Sequence, residues 1–181
     1  MFKEILTVRE IGKQDIIPIT DYWLNSSPAF MQSMGVDLNK MPKKEQWREM
    51  LSEQLSQPYE EKKSYCIIWQ AEDKAVGHSN INKINFGVEA YMHLHIWDEN
   101  MRKKGFGTSF IKMTLPYFFS NYQLKKLYSE PYALNPAPNK TLAKAGFEFV
   151  KEYITTPGWL NFEQPVKLWV MNKEKFSKLG F

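Results

Sequence analysis

The segment that most constrains the fold is an alternating strand that leads through a glycine-containing turn into a helix. Residues 88–97 are predicted as a strand because polar or aromatic residues alternate with apolar ones. One face carries Glu89, Tyr91, His93, His95 and Trp97, and the other carries Ala90, Met92, Leu94 and Ile96. Residues 105–120 are predicted as a helix with one buried stripe, Phe106, Phe110, Met113 and Tyr117. Pro116 should kink this helix or end it early.

The rest of the chain continues the same mixture of strands and helices. Strands are predicted at 5–10, 64–70, 75–84, 126–133, 147–155 and 166–172, and helices at 13–25, 43–55 and 136–145. Residues 26–41 are expected to form an unusually apolar loop, and residues 85–87 a turn. No repeat or linker interrupts the series, so we expect residues 1–181 to form a single α/β domain with a mixed sheet.

Composition and charge exclude several classes of protein. A chain with 43% apolar and 15% aromatic residues can offset its conformational entropy, which argues against disorder. A net charge of +4, with lysines beside glutamates, does not indicate a nucleic-acid partner. The single cysteine, Cys66, excludes an internal disulfide and favours a cytoplasmic location. Neither a signal sequence nor an apolar run of roughly 20 residues is present, so no membrane association is expected.

The turn between the alternating strand and the helix has the chemistry of a phosphate site. Its sequence is Arg102-Lys103-Lys104-Gly105-Phe106-Gly107-Thr108. Backbone N–H groups at a helix start face an anion, glycines let the backbone approach it, and the basic side chains add charge. A dinucleotide fingerprint is excluded because its third glycine would fall at Phe110, and a G-x-x-x-x-G-K-[ST] motif is absent.

Two segments together resemble the GNAT superfamily of N-acetyltransferases. The turn is similar to the family's Q/R-x-x-G-x-G/A motif, and residues 135–147 resemble its N-x-x-S/A-x-x-x-L/Y-x-K-x-G-F block. The resemblance implies a GNAT-like fold, with a mixed, mostly antiparallel central sheet, flanking helices and two splayed parallel strands at its centre. It also implies acetyl-CoA as the co-substrate, bound without a metal, and an amine of a small molecule or peptide as the acceptor.

The second block also has a structural interpretation. Asn135 can cap a helix that tolerates Pro136 and Pro138 in its first turn. The resemblance implies that Asn135 also holds the pantetheine arm or the acceptor, and Lys140 either contacts a phosphate or lies in solvent. Pro138 stands where the family usually has Ser or Ala. Leu142 stands where many relatives carry a tyrosine that protonates the departing thiolate, which leaves the general acid open.

Attack on a thioester requires a neutral amine, so a group must collect its proton. Glu130 is the first candidate, because its offset from Asn135 resembles that of a catalytic glutamate in relatives that acetylate ribosomal-protein N-termini. His93 and His95 are the others, since an imidazole titrates near neutrality. Tyr132 or Tyr128 is a candidate donor of the proton to the thiolate.

The resemblance further implies an oxyanion donor and a binding gap. The donor is the backbone N–H of Ile96 or Trp97, where the strand bulges. Strands 88–97 and 126–133 should splay below this point and admit pantetheine. The acceptor pocket is expected to be walled by Phe30, Met31, Met34, Trp159 and Phe162.

Three alternatives remain open at this stage. The departures at Pro138 and Leu142 fit a non-catalytic acyl-CoA-binding module. His93-Leu94-His95-Ile96 and Glu130-Pro131 with Asn135 resemble the H-L-x-I and E-P-x-x-x-N strands of siderophore hydroxylysine acyltransferases. A hairpin at residues 85–87 would bring His78 near His95 and give a three-histidine zinc site. The identity of the amine and the oligomeric state, a homodimer included, are not determined by the sequence.

Overall fold

The computed structural model describes residues 4–102 and 104–180, and its framework is a seven-stranded sheet. The strands are β1 (Leu6–Glu10), β2 (Tyr65–Ala71), β3 (Lys74–Asn85), β4 (Glu89–Ile96), β5 (Lys126–Ser129), β6 (Glu148–Thr155) and β7 (Gln164–Asn172). Their order in the sheet is β1-β2-β3-β4-β5-β7-β6. Strands β4 and β5 are parallel, and every other neighbouring pair is antiparallel. The predicted mixed, mostly antiparallel α/β fold is therefore confirmed.

Helices flank this sheet in nearly the predicted order. They are α1 (Ile16–Asn25), α2 (Pro28–Ser33), α3 (Lys44–Ser56), α4 (Phe106–Asn121), α5 (Pro136–Lys144) and α6 (Lys173–Lys178). Short 3-10 turns occur at Lys13–Asp15, Leu38–Lys40 and Glu99–Met101. Helices α2 and α6 were not predicted.

Helix α2 lies within the segment expected to be a loop. Ser27 caps it by accepting a hydrogen bond from the Phe30 amide at 3.3 Å, and Pro28 occupies its first turn, where a missing N–H costs nothing. Met31 is almost fully buried because the helix turns it into the core. The apolar character of residues 26–41 therefore reflects packing, and the loop prediction was wrong for this part.

Helix α4 also differs from expectation. It continues past Pro116 to Asn121, because the surrounding apolar residues are buried against the sheet and outweigh one lost hydrogen bond. Its buried residues are Phe110, Ile111, Thr114, Leu115, Phe118 and Phe119. Of the predicted stripe only Phe110 is among them, whereas Phe106, Met113 and Tyr117 are partly buried against the same core. The Phe110 ring stacks on the Trp69 indole at 5.0 Å, which fixes α4 across the centre of the sheet.

The alternation of β4 separates the two layers as predicted. Ala90 and Met92 are fully buried in the core that includes α4. On the opposite face, His95 contacts Tyr22 and Trp23 of α1, with ring centroids 5.6 and 4.9 Å apart. The odd-numbered face of β4 thus lies under α1, where the polar groups of the site gather.

No helix within residues 4–102 and 104–180 is both long enough and apolar enough to cross a bilayer.

Candidate active site

The centre of the sheet opens where the two parallel strands separate. β4 and β5 pair at only three positions, Glu89 with Lys126, Ala90 with Leu127 and Tyr91 with Tyr128. The Ser129 hydroxyl then donates to the Met92 carbonyl at 2.8 Å, and β5 ends there while β4 continues to Ile96. The splay predicted for these strands is present, although β5 is four residues shorter than the predicted strand 126–133.

The end of β4 bulges. Both the Trp97 and Asp98 amides donate to the Val76 carbonyl, at 2.8 and 3.5 Å. Because successive residues of a strand direct their peptide groups to opposite neighbours, the amide of Ile96 faces the gap beside β5. Of the two predicted oxyanion donors, Trp97 is thus already paired with β3, and the geometry favours Ile96.

The turn after this bulge leads into α4. Gly105 has a left-handed backbone with φ of 85°, and α4 begins at the next residue without a side-chain cap among the described residues. The Thr108 amide bonds back to the Gly105 carbonyl at 3.2 Å, and the amides of Phe106 and Gly107 belong to the unbonded first turn. Lys104 and Gly105 are exposed, so this helix start faces solvent.

The second glycine of the turn allows two helices to approach each other. A Cβ atom on Gly107 would lie 3.3 Å from the Thr141 methyl group of α5, which is tighter than an ordinary contact. The phosphate-motif glycines therefore differ in role, since Gly105 supplies a backbone conformation and Gly107 supplies close packing. Lys103 was also assigned to the phosphate site, and it lies outside the described residues.

Arg102 is held by the strand end. Its Nε donates to the Ile96 carbonyl at 3.1 Å and its Nη2 to the Trp97 carbonyl at 3.3 Å. The guanidinium also lies 3.9 Å from the centroid of the Phe30 ring. In this arrangement the side chain stabilises the bulge, and a contact between Arg102 and a phosphate stays a prediction.

Helix α5 begins beside the gap. The Asn135 side chain accepts a hydrogen bond from the Ala137 amide at 3.3 Å, so the predicted cap is present. Asn139, which was not predicted, donates to the carbonyls of Tyr132 and Asn135 at 3.0 and 2.7 Å and accepts from the Trp169 indole at 2.8 Å. Its nearly complete burial fixes the segment between β5 and α5. Lys140 is exposed on α5. Its contact with a phosphate stays a prediction.

A cavity of about 740 Å³ runs from the gap between β4 and β5 across the α1 face of the sheet to α3. It brings five of the predicted site residues together, His93, His95, Glu130, Tyr132 and Asn135. Met34 and Trp159 also line it, as expected for the acceptor pocket. Met31 is instead in the core, Phe30 lies on Arg102, and Phe162 packs edge-on against Tyr132 at 5.9 Å.

Glu130 lies at the polar end of this cavity with its side chain only 5% exposed. The Tyr153 hydroxyl of β6 donates a hydrogen bond to its Oε1, and the Lys83 Nζ of β3 lies 3.7 Å from its Oε2. Lys83 also lies above the Tyr91 ring, 4.7 Å from its centroid. Burial raises the pKa of Tyr153, and the hydrogen bond to Glu130 adds to the shift, so Tyr153 is a hydrogen-bond donor at neutral pH. Sequence analysis missed both partners of this carboxylate.

The three histidines share the same cavity wall. His78 and His95 face each other across β3 and β4 with stacked rings 4.6 Å apart, as the hairpin predicted. Trp97 Nε1 donates to His78 Nδ1 at 2.7 Å, and the Tyr22 hydroxyl lies 3.2 Å from His95 Nδ1. His93 Nε2 lies 3.1 Å from Asn82 Oδ1.

Burial keeps these imidazoles neutral. It lowers the pKa of His78 to about 3 and that of His93 to about 4, with smaller contributions from His93 and Lys83 respectively. The pKa of His95 is lowered by the same cause and by its two histidine neighbours. A base of such low pKa holds a proton weakly, which counts against these histidines as acceptors of the amine proton. Within the part of the chain that the structure describes, no three His, Cys, Asp or Glu side chains are grouped to hold a metal ion.

Comparison with known proteins decides the family. The family model described as an acetyltransferase (GNAT) domain matches residues 6–148, which is most of the chain. The chain belongs to the GNAT acetyltransferase family. It is accordingly an acyltransferase, as the two sequence motifs predicted. A sequence search of curated proteins found no significant match.

Solved structures of similar fold include several GNAT enzymes. Spermidine N-acetyltransferase from Vibrio cholerae, in complex with CoA and spermine, has a TM-score of 0.76 at 19% identity, over 95% of this chain and 98% of that chain. An aminoglycoside acetyltransferase in complex with coenzyme A has a TM-score of 0.72 at 15% identity, over 96% and 98%. A ribosomal alpha-N-protein acetyltransferase in complex with coenzyme A has a TM-score of 0.74 at 12% identity, over 94% of this chain and 95% of that chain. At these identities the likeness concerns the fold.

Proposed function

We propose that this GNAT protein transfers an acetyl group from acetyl-CoA to a primary amine by direct attack within a ternary complex. The proposal rests on three structural features that lie next to one another. An uncapped helix start at Gly105 faces solvent, the gap between β4 and β5 lies beside it, and the cavity with Glu130 opens from that gap. Anion binding, thioester access and amine binding thus have adjacent sites.

The residues around the gap fit coenzyme A. The unbonded amides of Phe106 and Gly107 at the start of α4 suit a pyrophosphate, and the exposed Lys104 adds positive charge beside them. The unpaired edge of β4 beyond Met92 offers peptide groups to the pantetheine amides, with Asn135 on the opposite side. The three GNAT enzymes of similar fold were solved with coenzyme A, which supports acetyl-CoA as the donor here.

Glu130 would collect the proton of the attacking amine. An alkylamine with a pKa of about 10 is mostly protonated at neutral pH, so the carboxylate has to accept a proton before or during attack. Tyr153 and Lys83 each hold one of its oxygens, which restricts its rotation and keeps it directed at the cavity. His93 is the second candidate because it lines the same end of the cavity.

The other steps use groups near the gap. The amide of Ile96 would donate to the oxyanion of the tetrahedral intermediate. Tyr132 lines the cavity and is our candidate for returning a proton to the thiolate, in the absence of a tyrosine at position 142. Asn139 anchors its main chain by donating to the Tyr132 carbonyl, and the Tyr132 ring packs edge-on against Phe162.

Thiol release tests the proposal. Purified protein is incubated with acetyl-CoA and a panel of primary amines, and free coenzyme A is measured with a thiol reagent, while calorimetry measures the binding of acetyl-CoA. We expect amine-dependent release above the rate of hydrolysis. Tight acetyl-CoA binding without release for any amine would indicate the non-catalytic binding module instead. Absence of binding would refute the assigned coenzyme site.

A further inference from the structure

The two ends of the cavity have different chemistry. The end at the β4–β5 gap is polar, with Asn80, Asn82, His93, Ser129 and Glu130 in its wall. These residues come from strands β3, β4 and β5 and from the segment after β5, and they suit the reacting amine. The far end lies between α1, α3 and the segment that connects β6 to β7.

The far end is walled by three indoles. Trp23 of α1 and Trp47 of α3 are stacked, with ring centroids 5.3 Å apart and planes 13° apart. Trp159 of the β6–β7 segment lies 6.0 Å from Trp47 at 47°. Met50 and Leu51 of α3 line the same part of the cavity. A surface of this kind excludes water and stabilises apolar groups, and flat groups above all.

The charge of the cavity does not favour a polycation. Its charged lining residues are Glu53, Lys63, Lys83 and Glu130, two acidic and two basic. Glu130, the acid at the reacting end, is already paired with Lys83. A second or third ammonium group on an acceptor would lie against indoles and methionines with a single further carboxylate, Glu53, which lies on exposed helix surface.

We infer that the acceptor is a monoamine whose single amino group is joined to a bulky apolar or aromatic group, and that this group lies against Trp23, Trp47 and Trp159. The inference rests on the acetyltransferase function proposed above and names its substrate class. A volume of about 740 Å³ accommodates an arylalkyl amine. The polar end then faces the amine and the indole end faces the ring. Polyamines, which the Vibrio cholerae relative binds as spermine, are expected to be poor substrates of this chain.

The test uses three amines that differ in what they offer the far end. 2-Phenylethylamine has an aminoethyl group joined to an aromatic ring. Ethylamine has the same primary amine without the ring, and spermidine is an extended polycation. We expect kcat/KM for 2-phenylethylamine to exceed that for ethylamine and for spermidine by about tenfold or more, because binding transfers the aromatic ring from water to the apolar surface of the indoles. A kcat/KM for spermidine or ethylamine equal to that for 2-phenylethylamine overturns the inference.

A pair of variants locates the effect. Trp159→Ala removes a cavity indole that is 52% exposed, and Phe149→Ala removes an aromatic ring with the same exposure from β6, outside the cavity lining. We expect Trp159→Ala to reduce the ratio of kcat/KM between 2-phenylethylamine and ethylamine about threefold or more, and Phe149→Ala to leave it unchanged. Because both amines are measured on one preparation, a fraction of unfolded protein cancels in the ratio. Equal ratios in both variants contradict the assigned subsite.

Binding separates this inference from the proposed function. Calorimetry of 2-phenylethylamine and spermidine with the protein saturated by coenzyme A reports acceptor affinity without turnover. Preferential binding of 2-phenylethylamine that Trp159→Ala weakens supports the subsite even if no amine releases thiol, in which case only the catalytic proposal fails. Preferential binding of spermidine, or no binding of either amine, overturns the subsite even if some other amine is acetylated.

Discussion

The coenzyme end and the acceptor end of the site are built in different ways. The coenzyme end comes from two short segments, residues 96–108 and 135–146, each of which forms its own turn and helix start. The acceptor end is assembled from α1, α3, β3, β4, the segment after β5 and the β6–β7 segment, which are far apart in the chain. The first is therefore determined by local backbone chemistry, and the second by the packing of the whole sheet.

The difference has a functional consequence. A helix start binds a phosphate through backbone amides, so this chemistry does not depend on the identity of the surrounding side chains. The acceptor cavity depends on which side chains several separate segments contribute, so its lining can change without changing the start of α4. Within one family, donor binding is then expected to be shared while the acceptor varies, as the spermidine, aminoglycoside and protein acetyltransferases of similar fold illustrate.

The largest expected effect is on the chemistry at the acceptor end. Glu130→Gln keeps the shape of the side chain and can still accept a hydrogen bond from Tyr153, but the amide cannot take a proton. We expect kcat to fall by roughly a hundredfold to ten-thousandfold. The Kd of acetyl-CoA, measured by calorimetry, should not change, because the coenzyme end does not include Glu130.

This variant tests the separation of the two ends directly. A kcat within about threefold of the unmodified protein would mean that another group, with His93 the next candidate, takes the proton. A large rise in the Kd of acetyl-CoA would mean that the two ends are coupled through the gap between β4 and β5.

The second effect is on the coenzyme end. Gly105→Val and Gly87→Val form a matched pair, since both glycines have positive φ, 85° and 76°, and a Cβ added to either meets nothing within 4 Å. Each substitution should cost about 1–2 kcal/mol of stability through backbone strain. Only Gly105→Val should weaken coenzyme A binding, by about tenfold to a hundredfold, because a branched side chain would stand beside the α4 amides. Calorimetry and thermal melts measure both quantities.

The outcome that contradicts this assignment is an equal loss of coenzyme affinity in both variants. Gly87 lies in the β3–β4 turn, at the opposite end of β4 from the Gly105 turn. A shared loss would then arise from destabilisation of the sheet and not from the helix start.

Local features of the sequence predicted much of this molecule. The glycine turn, the cap at Asn135 and the left-handed Gly146 follow from backbone rules that need no tertiary information. The alternation of β4 predicted which residues share a face, and together with the turn at residues 85–87 it placed His78 opposite His95. Both GNAT motifs belong to this local class, and this is why the family could be identified.

Contacts across the sheet could not be predicted in the same way. Tyr153 reaches Glu130 because β7 inserts between β5 and β6, and neither strand order nor register is encoded near either residue. Lys83 reaches the same carboxylate from a β-bulge, where its φ of 46° is unusual for a residue with a side chain. The expectation that Pro116 could end α4 early was wrong for a related reason, since the effect of Pro116 on α4 depends on the burial of its neighbours.

A smaller effect tests one of these unpredicted contacts. Tyr153→Phe removes the hydroxyl that donates to Glu130, and we expect kcat to fall about tenfold with little change in the KM of acetyl-CoA, because the carboxylate becomes freer to rotate. In a Glu130→Gln background the same change should cost nothing further, since Tyr153 acts through Glu130. Steady-state kinetics of the single and double variants measure both effects.

The matched control removes the same kind of bond elsewhere. The Tyr59 hydroxyl donates to Glu10 Oε1 at 2.8 Å, and neither residue is part of the cavity lining. Tyr59→Phe should leave kcat unchanged. If Tyr153→Phe lowers kcat as much with Gln at position 130 as with Glu, its hydroxyl acts on the reaction in some way other than through that carboxylate.

The smallest effect is a pH dependence that only the acceptor end should carry, since all three histidines of the chain lie there. Folding lowers the pKa of His78 from about 6.5 to about 3, so the unfolded chain binds its proton first and stability is lost as the pH falls below about 6.5. Between about pH 7 and about pH 5.5, this single group should remove about 1 kcal/mol from the free energy of unfolding.

A variant that does not titrate tests this effect. The Gln side chain of His78→Gln can still accept a hydrogen bond from the Trp97 indole, so urea unfolding of this variant should show a loss of unfolding free energy that is smaller by that amount. Because carboxylates titrate equally in both proteins, the difference isolates the histidine. Identical pH dependence in the two would show that folding leaves the pKa of His78 unchanged, and that the indole and histidine wall of the cavity is more open to water than its burial implies.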